Sequence, residues 1–106
     1  MIILKKKYGT YSEDSTELNL ALRSSLSTET PETEGCAFSL TIDCYIDLQT
    51  LLEITIGDIV YTDIDGTTPF NGGNSYWRIE LIESIGTSYI CQINSLGVII
   101  NFNICV

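Results

Sequence analysis

The chain has 106 residues, 14 acidic against 5 basic and no histidine, for a formal net charge of −9. Hydrophobic residues make up 44% and charged ones only 18%, a composition of folded single domains and not of disordered chains. So few bases disfavour nucleic acid and anionic membrane as partners. The missing imidazole removes the commonest general base and any mixed Cys/His zinc site.

The chain opens with "MIILKKKYGT", whose apolar residues precede its charges, the reverse of a secretory signal. The expectation is therefore a chain made and folded in a cytoplasm. Lys5, Lys6 and Lys7 are three of the five bases, and they read as the solvated flank of an edge strand, where charge discourages aggregation. In "STELNLALRSSLS", Ser15 to Leu18 resembles a helix cap. Leu18, Leu20 and Leu22, however, alternate with Glu17, Asn19, Ala21 and Arg23, which is strand periodicity. Strand is preferred for residues 17–23, with helix as the alternative. Residues 24–35, "SSLSTETPETEG", are polar, acidic and carry Pro31, as expected of a surface loop. This divides one domain into an N-terminal arm or strands with an acidic loop, 1–35, and a β-sheet core, 36–106.

The clearest strand is "FSLTIDCYIDL", where Phe38, Leu40, Ile42, Cys44, Ile46 and Leu48 alternate with polar neighbours and Tyr45. Cys44 falls on the apolar face, as Cys36 does if the strand starts that early. The four cysteines, Cys36, Cys44, Cys91 and Cys105, include no C-x-x-C pair. Buried free thiols are the default reading; three disulfide pairings are open, and spacing does not choose among them.

"ITIGDIVYTD" reads as the next strand, with Gly57 marking a bulge or bend. A glycine-rich corner follows, then "YWRIELI" with Trp77, Ile79 and Leu81 opposite Tyr76, Arg78 and Glu80. Short turns lead through "TSYICQI" to "VIINFNICV", where Ile100, Phe102, Ile104 and Val106 alternate with Asn101, Asn103 and Cys105. The expected fold class is all-β, a small antiparallel β-sandwich or barrel with a meander in its C-terminal half.

Catalytic signatures are lacking: there is no G-x-S-x-G, no phosphate loop and no dinucleotide fingerprint. The reading is non-enzymatic, with no cofactor. Asp63-Ile64-Asp65-Gly66 raises calcium, since two carboxylates two residues apart face one ion in a loop and Thr67, Thr68, Asn71 and Asn74 add neutral oxygens. An EF-hand fails, because Thr67 and Asn74 stand where acids are needed. Asp-Gly is first of all a turn pair. Phe70, Asn71, Asn74, Tyr76 and Trp77 form an aromatic-plus-amide palette suited to a partner protein or a glycan.

The run "GDIVYTDIDGTTPFNGGNSYWRIEL", continued by "CQINSLGVIINFNIC", resembles a β module recurrent in structural and surface proteins of Bacteroidota and their phages. The matching residues are Gly57, Tyr61 to Asp63, Thr67 to Gly73, Tyr76, Trp77, Ile93, Ser95, Gly97, Ile99 and Cys105, and they cover about the C-terminal half. The resemblance implies a non-catalytic structural component of a bacteriophage virion, at the capsid surface, tail or baseplate. It would pack as a homo- or hetero-oligomer with other virion proteins. The alternative is an adhesive or carbohydrate-binding module using the Phe70–Trp77 loop.

Overall fold

Among the described residues, six strands form one sheet: β1 (Asn19–Thr28), β2 (Leu40–Asp47), β3 (Ile59–Tyr61), β4 (Ser75–Leu81), β5 (Ser88–Ile93) and β6 (Ile99–Cys105). The computed structural model describes residues 18–30, 33–50, 53–84 and 86–105. The strand expected at the lysine run lies outside these residues. The strand order is β3-β2-β1-β4-β5-β6, with every neighbouring pair antiparallel. The sheet curls into a half-barrel, so the all-β expectation holds, as does the C-terminal meander, β4-β5-β6.

The concave face holds the core. Ala21, Cys44, Ile46, Val60, Ile79, Leu81, Cys91, Ile93 and Ile99 are sealed from solvent there, with Ile54 and Phe70 added from loops. The register explains the choice: Ala21 pairs with both Cys44 and Leu81, and Trp77 pairs with Cys91. Side chains of directly opposed residues point to the same face.

The strand preferred for residues 17–23 holds from Asn19 and runs on to Thr28, into the segment expected as a loop; this β1 sits at the centre of the sheet, bonded to β2 on one side and β4 on the other. Within β1 the leucines do not mark the core face. Ala21 and Arg23 face the concave side, while Leu20 opposes Tyr45 and Leu22 opposes Glu80 on the convex side. A bulge between Arg23 and Ser27 then shifts the pairing with β4.

The long strand expected over 54–63 is reduced to three residues. Gly57, at a φ of 102°, belongs to a tight turn ahead of β3 rather than to a bulge inside a strand. Asp58, fully buried, stabilises this turn by accepting from the Gln49 N–H (2.9 Å), the Thr55 N–H (2.8 Å) and the Thr55 hydroxyl (3.2 Å).

The buried-thiol reading holds for Cys44 and Cys91 and fails for Cys36 and Cys105, which form a disulfide. Cys36 lies in a 3₁₀ turn, Thr33–Ala37, and not at the start of β2. Cys105 opposes Ser88 on the convex face, where that turn packs: a Cβ on Gly35 would come within 2.6 Å of Ile90 Cδ1. The convex side of β4 and β5 is therefore covered too, which is why Ile90 and Tyr76 are buried opposite the main core.

Candidate functional site

The corner between β3 and β4 is closed by its own hydrogen bonds. Asp63 accepts from the Thr67 N–H and hydroxyl and from the Thr68 N–H. These donors, led by the Thr67 hydroxyl, hold its carboxyl below the usual range. Both carboxylate oxygens thus serve the turn, as in an Asx-type corner. The chain then returns along β3, with the Phe70 N–H donating to the Val60 carbonyl (2.8 Å). Gly72 and Asn74 donate to the Asn94 and Ile93 carbonyls, fixing the corner to the β5–β6 turn.

The five residues expected to share a contact surface are split up. Asn71 and Asn74 are exposed, Asn74 in the left-handed region at a φ of 65°. Phe70 is buried and meets Trp77 edge to face, with ring centroids 4.9 Å apart. The Trp77 indole N–H donates to the Gly72 carbonyl (2.9 Å). Tyr76 is buried on the opposite face, its hydroxyl accepting from the Asn101 amide (3.3 Å). Only the two amides remain open at the tip.

Two features went unread in the sequence. Arg23 projects into the concave face, its guanidinium carbon 4.2 Å from the Phe70 centroid and 5.4 Å from that of Trp77. Nη1 donates to the Ser24 carbonyl (2.9 Å), while Nε is buried without a partner among the described residues. Half-burial among apolar neighbours pulls the guanidinium pKa down. On the convex face, Ser88 is held between Arg78 and Glu80. Its hydroxyl donates to Glu80 (2.7 Å) and accepts from Arg78 Nε and Nη2 (3.2 and 3.0 Å). Arg78 also donates to the Phe38 carbonyl (2.6 Å), tying β4 to the approach to β2. This cluster uses each polar atom to join elements.

A further feature is the outer edge of β6. At its start the edge is taken: the Gly57 N–H donates to the Ile99 carbonyl, the Ile99 N–H to Asp58 and the Val60 N–H to Gly97, all at 2.8 Å. These bonds join β3 to β6 and close one corner of the half-barrel. Beyond Ile99 the edge has no backbone partner among the described residues. The Phe102 N–H turns to the Asn101 side-chain oxygen (3.0 Å) instead of to β5. Against expectation, Ile100 and Ile104 are exposed, at 40% and 55%. They belong to an edge strand with no second layer over it, and the bulge opposite Ile93 puts Ile100 out of phase. The chain matches no family model, no characterised relative and no solved structure.

Proposed function

We propose that this chain is a non-enzymatic structural component of a bacteriophage virion, at the capsid surface, tail or baseplate, working through protein–protein packing. The observation that carries this reading is the outer edge of β6, which beyond Ile99 has no backbone partner among the described residues and is flanked by exposed Ile100 and Ile104. Natural folds normally protect a sheet edge with charge, proline or a covering element, and an edge left open invites strand addition by a neighbour. The module-like run from Gly57 to Cys105 supports the phage assignment by resemblance. The glycan reading has less support, since the Phe70 and Tyr76 rings are buried and the Trp77 N–H is already bonded. Quantitative mass spectrometry of purified particles tests the proposal. It expects the chain at a fixed copy number per particle; its absence from particles that assemble normally overturns it.

A further inference from the structure

Resting on that packing role, we infer that the first partner of β6 is β6 of a second copy, joined antiparallel about a two-fold axis through Asn103. The backbone supplies the geometry. The Phe102 N–H points away from β5, toward the Asn101 oxygen, so by alternation the Ile104 N–H and C=O point outward too. Two such strands placed antiparallel with Asn103 opposite its own copy set Phe102 against Ile104 of the second copy, twice. Each pairing exchanges two N–H···O=C bonds, giving a self-complementary contact, the isologous form that closes as a dimer.

Charge selects a second copy as the occupant. No Asp, Glu, Lys or Arg and no Pro occurs from Ser84 to Val106, so β5 and β6 are neutral in a chain of net charge −9. Copies approaching by any acidic surface repel; approach by β6 keeps their charges farthest apart. The flanking apolar side chains, Ile104 and half-buried Phe102, then meet across the axis. The Asn101 side chain is a local competitor, because its oxygen must release the Phe102 N–H before Ile104 of the second copy can take it.

Sedimentation equilibrium of the purified chain across protein concentration and salt tests this. The expected result is a monomer–dimer equilibrium that tightens as salt rises, because salt screens repulsion between like-charged bodies. Ile104→Pro, which removes an outward N–H and an exposed side chain but no bond to β5, should abolish the dimer while leaving the thermal transition in place. Should that variant not fold, Ile104→Glu gives the same loss through the side chain. Asn101→Ala should tighten the dimer several-fold. Monomer at every concentration in both the parent chain and Asn101→Ala overturns the inference, as does a dimer that survives both Ile104 variants. So does a dimer that weakens with salt and disappears in K5S/K6S/K7S, which assigns the contact to the lysine run. None of these solution outcomes decides whether the chain is present in particles, so the two proposals fail separately.

Discussion

The guanidinium of Arg23 lies 4.2 Å over the ring of Phe70, on the core face of the central strand, with no carboxylate beside it among the described residues. A cation over an aromatic face gains about 0.5–2 kcal/mol, and a buried N–H without an acceptor costs about 1–3 kcal/mol. The two nearly cancel. Arg23→Met should therefore change the unfolding free energy by less than about 1 kcal/mol in either direction. Phe70→Ala removes a buried ring that supports both Arg23 and Trp77, and should cost about 3–5 kcal/mol. Urea titration of both variants reads the contrast, and a large loss in Arg23→Met would show that Nε has a partner in solution.

The disulfide and the free thiols should separate cleanly in chemistry. Cys36 and Cys105 are 69 residues apart, and closing a loop of that length restricts the unfolded chain by about 4 kcal/mol at most. Replacing both by Ser should cost about 2–4 kcal/mol and release the 3₁₀ turn from Ile90. Burial pushes the Cys44 thiol up to about 12 and the Cys91 thiol well above its usual value. A buried neutral thiol is a poor nucleophile. An aromatic disulfide reagent at pH 8 should therefore titrate no thiol in the native protein and two after unfolding without reductant.

How much of this was readable depends on which face each residue serves. β2 was legible because one side of it is buried and the other is not, so Ile42, Cys44 and Ile46 mark the phase. β1 defeated the same logic. Its central position is filled by Ala21, small enough for the crowded concave face, and by Arg23, whose guanidinium sits over an aromatic ring. The leucines lie on the outer side, so the stronger hydrophobic signal marks the wrong face. Cys36 was misplaced because a 3₁₀ turn of five residues, Thr33–Ala37, has no periodicity to read. The expected contact residues were judged by type, and residue type does not show that Trp77 and Phe70 satisfy each other inside. The edge of β6 left a trace in the long uncharged run after Glu83, although only strand order places β6 last among the described strands.

Acid should weaken the convex cluster before the core. Glu80 accepts from the Ser88 hydroxyl (2.7 Å) and the Gly86 N–H (3.1 Å), with Arg78 3.9 Å away. The Ser88 hydroxyl leads in holding its carboxyl below the ordinary value of 4.5. A depressed folded pKa stabilises fully above the unfolded value and is lost as pH falls through the folded one. Glu80→Gln should thus cost about 1 kcal/mol at pH 7 and nothing once the wild-type group is protonated. Asp47 has the opposite sign: burial first, then the charge of Asp58, raises its pKa. Its penalty appears as pH rises through that value, so Asp47→Asn should gain less than about 1 kcal/mol at pH 7 and nothing at pH 3. Urea midpoints across pH 3–7 check both signs.

Closure of the half-barrel should depend on Gly97 more than on any other residue of the β5–β6 turn. Its carbonyl accepts from the Val60 N–H (2.8 Å) and its φ is 83°, in the left-handed region. A Cβ there would lie 2.5 Å from the Val60 carbonyl oxygen and 3.2 Å from the Phe70 nitrogen. Both contacts are with backbone, which has no rotamer by which to yield. Left-handed strain of about 1–2 kcal/mol and overpacking of about 1–3 kcal/mol then add. Gly97→Ala should lower stability by about 2–5 kcal/mol, whereas Gly86→Ala, also at positive φ (103°) but with open space around it, should lose only the strain. Hydrogen exchange gives the local test: in Gly97→Ala the Val60 and Ile99 amides should lose protection ahead of the β4–β5 amides. Equal protection across both sets would mean that β3 stays closed on β6 without this contact.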